Sequence, residues 1–570
     1  MFYLGISAYY HDSSISLINN DGEIVDFKKE EWHSRVKGDK SFPRMALEEM
    51  IINFNLNEKN IKSVIFYEKP VRAWITVLKH SVKNNSLTNE LTRNFFKNAF
   101  NSSMRFQMDL SKHFNTNKIN ILYADHHLSH TLSTFYYYRD TPCLSLVIDG
   151  YGDKYCSSIH LIKSEKEIIK LWNSEYPNSL GLFYSAITEY LGFEINEGEY
   201  KMMGLASYGK PIYFDKLSKT IKFENDKLEI DTSYYDFVRR VDRSYSDLLP
   251  KLFNLPPRNF NDMLVLGTDD FTNYSNVAAS AQKLLEDLLE KIFTYAYKKT
   301  NINKFLLSGG VGMNSVAVKK MGELPFVESL NVPPSPGDSG AAIGASFYGF
   351  IKDKDKNIDF NKTVENKNLY PGKLKSDESF FDLVLDKIAD DNKSIEEASK
   401  LIFQNEIIAT CYGNIETGPR ALGHRSLICN AHNHDLIKKL STEIKKRNLF
   451  RPTAPAILEE FVNDYFEIND SIKKCYYHMS SVATPKDEFK NSIKGVIHAD
   501  NTSRVQICST NQLLGKILTF LKKEKIYLIA NTSFNISSDP MVYSKEDAYL
   551  AIERMGIKYL LTEKGLYKKK

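Results

Sequence analysis

One six-residue pattern occurs twice, and it constrains the fold more than any other feature of the chain. Ser13-Ser14-Ile15-Ser16-Leu17-Ile18 has a counterpart in Ser157-Ser158-Ile159-His160-Leu161-Ile162. The settings match as well. The first copy follows an apolar strand at residues 2–10 and a polar turn at His11-Asp12-Ser13. It precedes a hairpin turn at Asn19-Asn20-Asp21-Gly22 and a third strand at 23–31. The second copy follows a strand at 143–149 and precedes another at 166–172. A strand–turn–strand–turn–strand unit that recurs, each copy followed by helices, predicts a duplicated α/β half. The competing reading is two unrelated hairpins sharing Ser-Ser-Ile by chance.

In a duplicated domain of this kind, the architecture of the sugar kinase, Hsp70 and actin group, the cleft lies between the halves. At 570 residues the chain exceeds one ordinary core, so at least two domains are expected. A stretch rich in Lys, Asp and Asn at 351–378 reads as the linker. It separates a domain at 1–350 from a compact α+β domain at 379–570. A net charge of +4, from 75 basic and 71 acidic residues, argues against a dedicated nucleic-acid binder. No signal peptide or bilayer-spanning run is evident, and the six cysteines are scattered without a C-x-x-C. A cytoplasmic enzyme with reduced thiols is the expectation.

The most chemically pointed stretch is Ala124-Asp125-His126-His127-Leu128-Ser129-His130. His126 and His130 fall one helical turn apart on one face, a spacing that lets both imidazoles hold one ion. A solvated helix face is the competing reading. The zinc-protease pattern H-E-x-x-H is excluded, because its general-base position is His127. Past His130, an apolar strand ends in Asp149-Gly150 and offers a hard third ligand. Two imidazoles with one or two carboxylates suit a divalent metal that keeps positions open, iron(II) more naturally than structural zinc.

Further motifs follow. A strand at 305–307 leads into Ser308-Gly309-Gly310-Val311-Gly312-Met313-Asn314, where backbone can approach a nucleotide, or which is only a tight turn. Asp338 stands at a loop-to-helix junction, as a second carboxylate ligand or a plain N-cap. Basic residues gather in loops of the C-terminal domain. They are the segments 413–426 with Arg420, 445–452 with Lys445, Arg447 and Arg451, 502–506 with Arg504, and 531–535 with Asn531 and Ser533. Arginines in rigid loops suit a bidentate grip on phosphate or carboxylate oxygens.

Taken in order, these stretches resemble the O-carbamoyltransferases of the nodulation-factor and tobramycin type. The residues that carry the resemblance include Gly5-Ile6-Ser7, His11-Asp12, the His126–His130 segment, Asp149-Gly150, Ser308-Gly309-Gly310 and Gly337-Asp338-Ser339-Gly340. Gly418-Pro419-Arg420-Ala421-Leu422-Gly423-His424-Arg425-Ser426, Phe450-Arg451-Pro452 and Asn531-Thr532-Ser533-Phe534-Asn535 complete the set. The resemblance implies an N-terminal domain like that of the threonylcarbamoyl-transferring tRNA-modification enzymes and a YrdC-like C-terminal domain. The latter would join carbamoyl phosphate and ATP, with Mg2+, into carbamoyl adenylate. The former, with Fe2+, would transfer the carbamoyl group to a hydroxyl of a sugar or natural product. It further implies metal ligands His126, His130, Asp149 and Asp338, and catalytic roles for His11, Lys37, Arg420 and Arg451. Gly309, Gly310, Asn314, Lys445, Arg447, Arg504, Asn531 and Ser533 would bind nucleotide and carbamoyl phosphate.

The chain departs from the pattern at Glu197-Gly198-Glu199, where Glu-Gly-Lys is expected, and at Gly423-His424-Arg425-Ser426, where Gly-Asn-Arg-Ser is common. Two rivals stand beside this reading: a threonylcarbamoyl-type transferase acting on tRNA, and a nucleotide-gated binding module of the Hsp70 type. No nucleic-acid or membrane partner is expected. The oligomeric state is open, a homodimer being one option.

Overall fold

The computed structural model describes residues 1–83, 104–240, 242–353, 370–372, 380–448, 450–451, 453–536 and 539–570. The chain forms two compact units, Met1–Glu30 with Gly38–Lys367, and Glu31–Lys37 with Asn368–Lys570. Most of the linker read at 351–378 lies outside the described residues.

The repeated pattern gives a repeated sheet. In the first sheet the strands run in the order Ile24–Lys29, Ser14–Ile18, Phe2–Ser7, Ile61–Phe66, Asn120–Tyr123. In the second the order is Glu167–Glu175, Tyr155–Ser164, Cys143–Gly152, Lys304–Ser308, Ser329–Asn331. Both have three antiparallel strands and then two parallel ones. The two Ser-Ser-Ile segments occupy the same place, so the first unit is a duplicated, actin-like α/β domain.

Small residues let its helices close on one another. A Cβ on Gly344 would lie 1.7 Å from the Ser129 carbonyl oxygen, so only glycine lets the Asp338–Lys352 helix pack so tightly on the His126–Tyr137 helix. A Cβ on Gly5 would meet the Ala342 oxygen at 2.1 Å, which seats the same helix against the first strand. A long amphipathic helix, Asp269–Thr300, starts at a Thr268 cap.

The second unit is α+β. Its mixed sheet runs Asp386–Asp390, Gly565–Lys568, Tyr559–Thr562, Ile408–Thr410, Ser426–Asn430, Leu528–Ser533, Ala454–Leu458, Gln506–Cys508. The helices Asp391–Phe403 and Leu513–Leu521 bury Ala398, Ile402, Leu514, Ile517 and Leu518 with Ile428 and Ile529 of the sheet. The short helix His434–Lys439 passes into a π-helical turn, Leu440–Ile444. Such a turn re-aims the residues after it, here Lys445 and Arg447.

Candidate functional site

In the first unit, His126 opens its helix, and two aspartates fix that helix start. Asp125 caps the helix and takes Arg72 Nη1 at 2.6 Å. Asp153 Oδ2 accepts the His126 N–H at 2.9 Å, while its Oδ1 accepts Lys69 N–H at 2.5 Å. His130 donates from Nδ1 to the Pro336 carbonyl at 3.1 Å, which turns the Nε2 lone pair inward.

Asp149 is presented by an irregularity in the strand. The ladder between Cys143–Gly152 and Tyr155–Ser164 shifts register between Ile148 and Gly152. The N–H groups of Gly150 and Gly310 both donate to Asp149 Oδ1, at 2.9 and 3.0 Å, so Oδ2 is the atom left facing the histidines. Asp338 is the first residue of its helix and Gly337 is the cap, so the plain N-cap alternative is not what forms. Its carboxylate turns to the cluster instead.

The four side chains converge. The two Nε2 atoms lie 3.2 Å apart, Asp149 Oδ2 is 3.2 and 3.3 Å from them, and Asp338 Oδ1 is 3.7 and 3.2 Å away. Ligands bound at about 2.1 Å to one ion sit roughly 3–3.5 Å from one another, so the set fits a divalent metal. The donors are all buried, and one ligand atom from each lies within 4.8 Å of the others. Burial alone pulls both imidazoles down, but Asp149 and Asp338 outweigh it: His126 is pushed up to about 10 and His130 moves upward. Two buried carboxylates thus demand positive charge here, from protons or from a metal ion. His11 borders the cluster, with Nε2 3.6 Å from Asp338 Oδ2 and Nδ1 3.0 Å from Asp12 Oδ2.

The glycine turn supports this cluster directly. Gly309 has φ +84, and a Cβ there would lie 2.3 Å from the Ile148 oxygen; its N–H donates to the Pro336 carbonyl. Asn314 caps the Ser315–Gly322 helix and exchanges hydrogen bonds with Gln282. The N–H groups of Gly309 and Gly310 are therefore engaged within the protein. Gly152 and Asp153 were not singled out from sequence. A Cβ on Gly152 would fall 2.0 Å from His126 Cδ2, and the available signal was the Gly-Tyr-Gly-Asp run after Asp149.

The second unit gathers the basic loops. Buried Glu416 shapes the first of them by accepting N–H bonds from Leu422, His424 and Arg425 on one oxygen. Arg425 is itself fully buried and spent on the Tyr412, Gly413 and His424 carbonyls, so it is a brace for the loop that carries Arg420. Asn531 ties the same loop down, donating to Ala421 O at 2.9 Å and Gln506 Oε1 at 2.7 Å. Ser533, two residues on and therefore on the same face of the strand, meets Lys445 and Arg447. Lys445 also reaches the Ser533 carbonyl and Asn535 Oδ1.

The neighbouring charges that act most on Lys445 and Arg504 are positive. Burial, then Arg447, Arg451 and Lys37, holds the Lys445 ammonium well below the usual lysine range. Burial, then Arg420, Arg447 and Arg451, lowers Arg504 in the same way. The structure thus brings together Lys37, Arg420, Lys445, Arg447, Arg451 and Arg504. Lys37 arrives with the Glu31–Lys37 segment, which belongs to this unit. Lys445 is buried and the other five are half-buried, an arrangement suited to an anion of high charge.

The first unit thus carries a cluster of four buried side chains that could hold one metal ion, and the second gathers basic side chains from several loops. The chain belongs to the carbamoyltransferase family: residues 3–347 match the model for the carbamoyltransferase N-terminus and residues 399–569 that for the C-terminus. It is 26% identical to nodulation protein NolNO of Sinorhizobium fredii, over 99% of this chain and 80% of that protein. It is 28% identical to nodulation protein NolO of Bradyrhizobium diazoefficiens, over 74% of this chain and 75% of that one. An uncharacterised Synechocystis protein, sll1178, is 28% identical over 98% of this chain and 95% of its own length.

Proposed function

We propose that this carbamoyltransferase works in two stages, with carbamoyl phosphate as donor and ATP, accompanied by Mg2+, as activator. Water hydrolyses carbamoyl phosphate in the basin of the second unit, so that phosphate departs and carbamate is left. A carbamate oxygen attacks the α-phosphorus of ATP, pyrophosphate departs, and carbamoyl adenylate forms. The observation that carries this stage is the crowd of like charges around Lys445 and Arg504, which needs an anion of high charge to offset it. Arg420 and Arg451 grip the phosphates, while Asn531 and Ser533 fix the loops that present them. Arg447 and Lys37 add charge beside Lys445.

In the second stage the oxygen of an acceptor hydroxyl attacks the carbamoyl carbon and AMP leaves. His126, His130, Asp149 and Asp338 hold a divalent metal, Fe2+ in this reading, which when bound supplies a Lewis acid for the acyl donor. His11, whose Nδ1 is oriented by Asp12, takes the hydroxyl proton. Gly309, Gly310 and Asn314 border the nucleotide with groups already engaged, so they shape the site and hold Asp149 rather than donate to phosphate. The acceptor is a small molecule bearing a hydroxyl, a sugar or natural product. The described helices include none long and apolar enough to cross a membrane, and a cytoplasmic location belongs to the same proposal.

The test is incubation of the protein with carbamoyl phosphate, ATP and a panel of sugars and natural products. Mass spectrometry should show one carbamoyl group gained on an acceptor, dependent on both co-substrates. A gain without ATP, or on tRNA alone, would reject the scheme.

A further inference from the structure

Between the strand Ile24–Lys29 and the helix Arg44–Phe54 the chain makes a seven-residue visit to the second unit, Glu31–Lys37. Both ends of the visit are anchored in the first unit. Before it, the buried Glu30 carboxylate accepts the Met45 and Ala46 N–H groups at 3.1 and 3.0 Å. After it, the Gly38 and Asp39 carbonyls accept the N–H groups of Asp12 and Ser13. Within the visit, Trp32 is buried and stacks on Tyr543, with centroids 5.4 Å apart and planes at 17°.

Arg35 makes the strongest attachments. Its Nη1 donates to Met541 O at 2.9 Å, its Nη2 to Pro540 O at 3.1 Å, and Nη1 lies 3.3 Å from Asp547 Oδ2. Its own backbone is left-handed, φ +58, a conformation that a non-glycine residue keeps only when its surroundings hold it. The acceptors sit in a loop closed by the bond from Val542 N–H to Phe534 O. That loop also carries Asn535, whose Nδ2 donates to Asp539 O and whose Oδ1 accepts from Lys445. Asp547 is no loose partner either, since its carboxylate also accepts the Tyr543 and Ser544 N–H groups at the start of the Lys545–Met555 helix.

We propose that Arg35 is a positioning residue of the polyanion basin: by clasping the Pro540-Met541 carbonyls and Asp547 it holds Lys37, two residues on, in place beside Lys445. The proposal rests on the reading of the basin as an anion site. Lysine cannot replace arginine here, because one ammonium cannot bridge two carbonyls and a carboxylate in a plane. A merely structural Arg35 would lower stability, and its effect on anion affinity would add to that of Lys37. A positioning Arg35 acts through Lys37, so its effect vanishes once Lys37 is gone.

The experiment is a double-mutant cycle on the full-length protein, read as the Kd of inorganic pyrophosphate by calorimetry at fixed ionic strength. Lys37→Ala and Arg35→Ala should each weaken binding roughly tenfold, and the double variant also roughly tenfold rather than a hundredfold. Arg35→Lys should behave like Arg35→Ala, and it serves in the cycle if the alanine variant does not fold. Additive losses, or unchanged affinity in both Arg35 variants while Lys37→Ala binds weakly, would overturn the positioning role. Unchanged affinity in Lys37→Ala would instead overturn the place of Lys37 in the anion site, and the positioning proposal with it.

Discussion

In the cluster of the first unit two imidazoles face two carboxylates, whereas in the basin of the second unit cation faces cation. The first set is buried throughout and the second is buried at Lys445 and half-buried around it, and burial penalises charge in either place. The first cluster offsets that penalty internally and needs only a proton or a divalent ion to complete it. In the second, neighbouring cations add to it, and the proposed polyanion would offset both. Under the proposed function, the difference separates a site for a resident metal from a site for a substrate that comes and goes. It also sets opposite signs for the same kind of mutation.

Removing a charge from the compensated cluster should hurt most. Asp149→Asn removes one of the two carboxylates that the histidines share, and metal-free protein should lose about 3–5 kcal/mol in urea unfolding, the usual cost of breaking a buried ion pair. An unchanged midpoint would mean that the cluster is not internally compensated. Gly152→Ala changes no charge, yet its Cβ would overlap the His126 ring. Metal affinity, measured anaerobically by competition with a chelator, should fall about 10–100-fold, as it does when groups that orient ligands are lost.

The basin should respond in the other direction. Arg504→Met removes one buried like charge, so the anion-free protein should gain about 1 kcal/mol while pyrophosphate release from ATP is lost. A fall in stability would show that the cations are already compensated. The smallest effect concerns Lys445, whose ammonium is held below the usual lysine range. The charged form is the one that binds an anion. Pyrophosphate affinity should therefore weaken as pH rises through that lowered value, with proton uptake on binding. Calorimetry in buffers of different ionisation heat measures the uptake, and Lys445→Met should abolish it.

The sequence exposed these regions unequally. The i,i+4 spacing of His126 and His130 is a local property and reads directly, as does Asp149 at the edge of an apolar strand. Asp338 lies 208 residues beyond His130, and what brings them together is the close helix approach permitted by Gly344. No local pattern encodes that distance, so the residues alone left Asp338 open between ligand and N-cap, and the resemblance named it a ligand. The duplicated topology was legible because each copy is a contiguous run of three strands. The basic loops were legible as arginines between Gly and Pro, but their convergence depends on sheet order, with Ser426–Asn430 and Leu528–Ser533 as neighbours. The visit of Glu31–Lys37 to the second unit had no signal, since a short polar segment after a strand reads as ordinary loop.

The central claim is that the two clusters serve separable half-reactions, and pyrophosphate release tests it most directly. Arg451→Ala and His130→Ala proteins are each given ATP and carbamoyl phosphate, and pyrophosphate and carbamoylated acceptor are both measured. Arg451→Ala should lose both, by roughly a hundredfold or more for about 3 kcal/mol of lost charge stabilisation. His130→Ala should keep pyrophosphate release and lose only the transfer. If His130→Ala stops pyrophosphate release as completely as Arg451→Ala, the two sites are one, and the division of labour is wrong.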